Sequence, residues 1–348
     1  MGESKYPMRN MVLRKFKKVL QRRTEMHIPD GLMDPIVAAI GLVEFLFVVG
    51  AALVVSRRDL RDKELPRTAL LSAGIFVAQM VNFPVGGGTT GHLIGGALFA
   101  IMVGPAMAIV GMTVVLLIQA LMFGDGGITA FGLNGLNMAV IAPLTGWGVF
   151  NLVKPIAVRS ERLGEGMAVA LASWASVFVA AAACAAELAV SYAISSGAYG
   201  IAATVSVPAM LGYHAIIGIG EAIITVGVVA YVHQVSPETF LHRTSTSASR
   251  SGVARILSSK TIQATIAVLI VFALALPFYF LYASDGKDGL EQTVAGAGVS
   301  KGEPIAESPF SYGESYFAAL FAGIMGFLAV TLATLGILKL IDSRKMSG

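Results

Sequence analysis

The sequence predicts an all-α, polytopic membrane protein with about nine transmembrane helices, and three observations carry that prediction. Hydrophobic residues make up 55% of the 348 and charged residues only 13%. Several apolar runs reach about 20 residues, the length a helix needs to cross a hydrocarbon core. The runs are continuous and rich in Ala, Gly, Leu and Val, whereas the strands of a transmembrane barrel alternate apolar with polar residues.

Breaks that are charged or rich in Gly and Pro place the spans near residues 35–55, 68–83, 92–104, 105–123, 135–153, 166–195, 211–232, 262–283 and 315–340. Only Gly104-Pro105 separates the third from the fourth, and the third is short for a full crossing. The distribution of Lys and Arg tests the count, because short cytoplasmic segments carry an excess of both. With residue 35 outside, the inner segments hold Arg57, Arg58, Arg61, Lys63 and Arg67, then Lys154, Arg159 and Arg162, then Arg243, Arg250, Arg255 and Lys260, then Lys339, Arg344 and Lys345. The outer segments 84–91, 124–134 and 196–210 hold none, and segment 284–314 has two lysines against six acidic residues. Residues 1–25 break the pattern, with eight Lys/Arg on the outer side. The net charge of +4 is thus a matter of topology and calls for no nucleic acid. The single cysteine, Cys184, lies in an Ala-rich span and forms no intrachain disulfide.

The polar residues near the outer ends of the spans are the candidates for chemistry. His27 stands in "MHIPDG" at the mouth of the first span, and His92 follows the glycine-rich "FPVGGGTT". Neutral imidazoles suit Ni, Co, Cu and Zn far better than Mg or Ca; a loop whose histidine caps a helix is the competing account of His92. Asn134 and Asn137 are placed to bond a ligand or a neighbouring helix. Glu44, Glu187 and Glu221 fall within spans, where ionisable groups face the bundle interior and have a partner or a function. His214 and Glu221, seven apart, share one helix face. No phosphate-binding Gly-x-x-x-x-Gly-Lys-Ser/Thr, helical His-Glu-x-x-His or nucleophile elbow with a plausible triad occurs, so the chain carries no ATPase of its own.

Four separated stretches, "MHIPDG" from Met26, "FPVGGGTTGHLIGGAL" around His92, "VLLIQALMFGDGGITAFGLNGLNMAV" from Val115 and "HAIIGIGEAIIT" from His214, resemble in order the CbiM/NikM family. These are the substrate-specific membrane components of energy-coupling-factor transporters for cobalt and nickel. The tail, two spans around "DGLEQTVAGAG" and "ESPFSYG", is similar to the small CbiN/NikN component, although Lys287 stands where its "PDGLE" motif has proline. The resemblance implies four parts: a basic extension 1–25 that the mature chain is expected to lack, a metal-binding membrane domain 26–232, a cytoplasmic linker 233–260 and a two-span domain 261–348. It also implies a planar metal site made by the free amine of Met26, the amide and imidazole nitrogens of His27 and the imidazole of His92. Asn82 and Asn137 would orient these groups from behind.

The expected function is therefore that of a multi-pass cell-membrane component that binds Ni(II) or Co(II) as cargo, with no permanently bound cofactor. Its expected partners are a coupling transmembrane subunit, ATPase subunits and membrane lipid. Two alternatives from other classes are a self-contained ion-coupled carrier using the intramembrane glutamates and an intramembrane metalloenzyme built on His214 and Glu221. The residues do not separate nickel from cobalt; planar amide chemistry leans to nickel.

Overall fold

A computed structural model describes residues 27–59, 64–86, 89–156, 161–235, 287–299, 302, 304–312 and 316–343. The helices in chain order are α1 (Pro35–Asp59), α2 (Glu64–Gln79), α3 (Gly96–Val103), α4 (Pro105–Ile118), α5 (Phe131–Gly135), α6 (Ala142–Val153), α7 (Glu161–Ile194), α8 (Ala203–Val235), α9 (Gly289–Gly296) and α10 (Tyr316–Ser343). A π-helical turn, Gln119–Phe123, extends α4, and another, Leu136–Ile141, joins α5 to α6. Among the described residues six helical stretches are long and apolar enough to cross a membrane: Pro35–Arg57, Pro105–Phe123, Phe131–Val153, Gly164–Ile194, Ala203–Gln234 and Phe317–Asp342. The expected eighth span, 262–283, and the linker beyond residue 235 lie outside the described residues.

Two expected spans differ from the structure. The second is a helix of 16 residues beginning at Glu64. The third is helical only over the eight residues Gly96–Val103, about 12 Å at 1.5 Å per residue, too short to cross alone. Gly95, with φ 75°, starts it, and Gly104, with φ 85°, ends it. Pro105 then opens α4 at a position where its missing N–H costs nothing. Between α2 and α3 the glycine-rich segment forms a hairpin, β1 (Asn82–Gly86) antiparallel to β2 (Thr89–His92), with an irregularity between Pro84 and Gly86. A third strand, β3 (Lys287–Asp288), comes from the tail and pairs in parallel with β2, setting Thr90 opposite Asp288.

Packing places these pieces closely. Asp34 caps α1 by accepting the Ile36 N–H at 2.8 Å, with Pro35 in the first helical position. A Cβ on Gly132 would lie 2.3 Å from the Leu42 backbone, so α5 rests directly on α1. The main core surrounds Phe45, Ile75, Phe99, Met112 and Ile217, all buried. α7 and α8 pack against each other as an antiparallel pair, tied by Trp174 Nε1–H to the Ala215 carbonyl at 2.9 Å. The tail belongs to the same body: Phe76 and Val77 of α2 share a core cluster with Ala319, Ala322 and Phe327 of α10. His233 is exposed and pairs with Glu165 at 3.2 Å. His242 lies outside the described residues.

Candidate metal site

The segment from His27 to Asp34 is irregular backbone, and each part of it is held. Asn134 clamps Ile28 from both directions, its Oδ1 accepting the Ile28 N–H at 2.9 Å and its Nδ2 donating to the Ile28 carbonyl at 3.0 Å. Gly127 donates to the same carbonyl at 2.9 Å. A Cβ on Gly127 would fall 2.3 Å from the Asp30 nitrogen, so only glycine allows that approach. Asp30 accepts from the Thr129 N–H at 2.8 Å and the Thr129 hydroxyl at 2.6 Å. The tail closes the outside, with Gly302 donating to the Asp30 carbonyl at 3.1 Å and Ile305 to Asp30 Oδ2 at 3.2 Å.

That scaffold buries His27, which is 3% exposed. Its Nδ1 lies 2.9 Å from Asp125 Oδ1, and its Nε2 is buried with no protein partner. The His92 ring stands edge-on to it, with centroids 5.8 Å apart and planes at 65°. His92 Nδ1 is 3.3 Å from the Leu93 carbonyl. Burial disfavours a charged His27, but the charge and hydrogen bond of Asp125 outweigh it and hold this imidazole above its ordinary pKa. His92 is pushed down to about 4, by burial first and by His27 second, so at neutral pH it is the unprotonated ring a metal requires.

The hairpin end that carries His92 is fixed from below. Glu221 accepts the Ile94 N–H at 2.7 Å and the Gly95 N–H at 2.8 Å, one on each carboxylate oxygen. Gln79 Nε2 donates to the Ile94 carbonyl at 2.8 Å, and Gln119 donates to Gln79 Oε1 at 2.8 Å. His214 and Glu221 do share one helix face, and both meet this junction. The ring of His214 bonds the Met210 carbonyl at 2.8 Å. With His92, Asp288, Gly289 and Leu290 it lines a cavity of about 30 Å³, roughly one water molecule in size.

His27 and His92, far apart in sequence, thus come together; Met26 lies outside the described residues. Asn82 faces His92 across the hairpin register, with its Oδ1 buried and without a protein partner. Asn137 is directed elsewhere, donating to Glu187 Oε2 at 2.7 Å. Among the described residues no three His, Cys, Asp or Glu side chains converge as a ready metal cage. Sequence reasoning passed over Asp125, which orients His27, and the tail residues Asp288 and Tyr312. An aspartate between glycines reads as a turn, and nothing local to the tail marks it as part of a site 200 residues away in the chain.

The family model described as cobalt uptake substrate-specific transmembrane region matches residues 27–239. A putative metal transport protein of Haloquadratum walsbyi is 41% identical over 213 residues, spanning 61% of this chain and 92% of that protein. A putative fused nickel transport protein NikMN of Archaeoglobus fulgidus is 32% identical over 315 residues, spanning 88% of this chain and 95% of its own. A crystal structure of a transition metal transporter is similar with a TM-score of 0.55 at 37% identity, covering 62% of this chain and 96% of that one.

Proposed function

The chain belongs to the CbiM family of cobalt uptake substrate-specific transmembrane regions, and we propose that it captures Ni(II), with Co(II) as the second cargo, on the outer side of the membrane for delivery inward. One observation supports this most: a buried imidazole and a half-buried one, from distant segments, face each other, and the buried one has a nitrogen that no protein group occupies. Nickel is preferred because a relative that matches over 88% of this chain, the tail included, is named a putative fused nickel transport protein.

The proposed donors are the imidazoles of His27 and His92 and the main-chain nitrogen of Met26. A planar set that also used the His27 amide would need Nδ1, since only that nitrogen closes a small chelate ring with its own backbone. Asp125 holds Nδ1, and Nε2 is the open nitrogen. We therefore take Nε2 as the His27 donor while Asp125 keeps its bond. The planar set is the second reading; it requires a free amine at Met26 and a ring turned away from Asp125. Ni(II) magnetism separates them, because a planar four-nitrogen site is diamagnetic and a site on two imidazoles completed by weaker donors is paramagnetic.

Inward delivery draws on a separate coupling membrane subunit and ATPase subunits in this reading, because no ATP-binding motif occurs in the sequence. The chain itself binds cargo and catalyses nothing. Reconstitution in vesicles tests this. Uptake of Ni(II) is expected only when the coupling and ATPase subunits and ATP are present. Accumulation by the chain alone, driven by a proton gradient, would establish the ion-coupled carrier instead.

A further inference from the structure

Capture on His27 and His92 leaves His214 without a task, although its ring lines the same cavity as His92. The hairpin that carries His92 rests directly on α8, the helix of His214. A Cβ on Gly91 would fall 2.8 Å from Ile217 Cγ1, and one on Gly220 would fall 2.6 Å from the Phe83 ring, so glycines on both sides allow the close approach. Trp174 of α7 fixes the same stretch of α8 by donating to the Ala215 carbonyl at 2.9 Å. Glu221, two turns beyond His214, holds the Ile94 and Gly95 N–H groups just past His92.

Within this frame the two imidazoles line a cavity of about 30 Å³, whose remaining walls include the apolar Ile94, Val177 and Ile217. They are near enough for a charge on His214 to act on His92. Asp288 also lines the cavity, with its Oδ1 committed to the Glu291 N–H at 2.7 Å. His214 Nδ1 lies 2.8 Å from the Met210 carbonyl. A carbonyl only accepts, so in the neutral ring Nδ1 carries the proton and Nε2 is left as an acceptor. His92 has a poorer arrangement: its Nδ1 is 3.3 Å from the Leu93 carbonyl, long for an N–H···O bond.

We propose that this cavity holds one ordered water that bridges the two rings, accepting from the His92 N–H and donating to His214 Nε2, so that His214 is a positioning residue for the metal-binding imidazole. A cavity of this size with a polar group on two sides suits a single water. An imidazole that binds a metal almost always donates the N–H it keeps to a carboxylate, a carbonyl or a water. That bond fixes the tautomer and the plane of the ring, and its loss commonly weakens metal affinity 10–100-fold. His214 does not touch the metal in this account; it acts through the water on His92. The inference rests on the proposal that His92 binds the cargo.

The test has one arm without metal and one with Co(II), both on the full-length chain. A high-resolution crystal structure of the metal-free protein is expected to show a water within hydrogen-bond reach of both rings, and His214→Phe to lose it. No water between the rings of the wild type would overturn the inference whatever the metal does. In the second arm titration gives the affinity for Co(II) and the visible ligand-field bands report geometry. His214→Phe keeps a ring and removes the acceptor; it is expected to bind Co(II) about tenfold more weakly and with shifted bands. His214→Gln keeps an acceptor and is expected to recover most of the affinity and the wild-type bands, which a purely structural role of the ring does not predict. Wild-type affinity and bands in His214→Phe would overturn the positioning role. Anomalous scattering from Co(II) inside the cavity would overturn it as well, by making His214 a direct ligand. A wild type that keeps the water but binds no Co(II) would reject the proposed function, and with it the role of His214 in binding, while the water bridge stands.

Discussion

Replacing His92 with alanine is expected to abolish tight Ni(II) and Co(II) binding while leaving the protein inserted and folded. The imidazole pairs with that of His27 at the proposed site, and a late transition metal that loses a nitrogen donor to water loses much of its binding energy. The fold has little stake in the ring. Among the described residues its one hydrogen bond is a 3.3 Å contact to the neighbouring Leu93 carbonyl, and β2 pairs with both flanking strands through its backbone. Thermal unfolding in detergent should therefore move little while the titration signal disappears. Undiminished affinity would remove His92 from the site.

Glu221→Ala is expected to have the opposite profile, a large loss of stability with metal binding lost as a consequence. The carboxylate is fully buried and takes the N–H groups of both Ile94 and Gly95 at the start of α3. The Gly95 N–H is among the donors that a helix leaves unpaired at its start, and an acidic group is favoured there by the helix dipole. Leaving a buried donor without its partner costs about 1–3 kcal/mol, so freeing two predicts a loss of roughly 2–6 kcal/mol. Gln79 holds the Ile94 carbonyl but offers no acceptor for the two freed donors. The measurement is the unfolding midpoint in detergent together with Ni(II) titration below that midpoint. A variant as stable as the wild type would mean that α3 is capped by something other than Glu221.

Much of the helical frame was legible in the chain. Runs such as Pro35–Arg57 and Phe317–Asp342 announce themselves by length and apolarity, and Gly104-Pro105 marks the break between α3 and α4 because it combines a positive φ with a helix-starting proline. The start of α3, expected near residue 92 and found at Gly96, carries no such mark. At that start a carboxylate 126 residues further on accepts the Gly95 N–H, and no local pattern reports a partner so distant. The hairpin is hidden for a related reason: "PVGGGTT" lacks the alternation that signals a strand, and its third strand comes from the tail.

The site divides in the same way. His27 and His92 stand out by residue type, since imidazole is rare in this chain and suited to few tasks at a membrane surface. The groups that orient them do not stand out. Asn134 and Asn137 sit three apart in one glycine-rich stretch, and only the helical phase of α5 and its π-helical turn sends the first to Ile28 and the second to Glu187. Asp125 and Tyr312 gain meaning only from each other, across a separation of 187 residues.

The central claim is that this chain holds one late transition-metal ion on His27 and His92, and it is tested most directly by calorimetric titration of the purified, full-length protein with Ni(II). The account predicts one tight site per chain in the wild type, and none in either His27→Ala or His92→Ala. Absence of tight binding in the wild type, or equal binding in all three proteins, would contradict it.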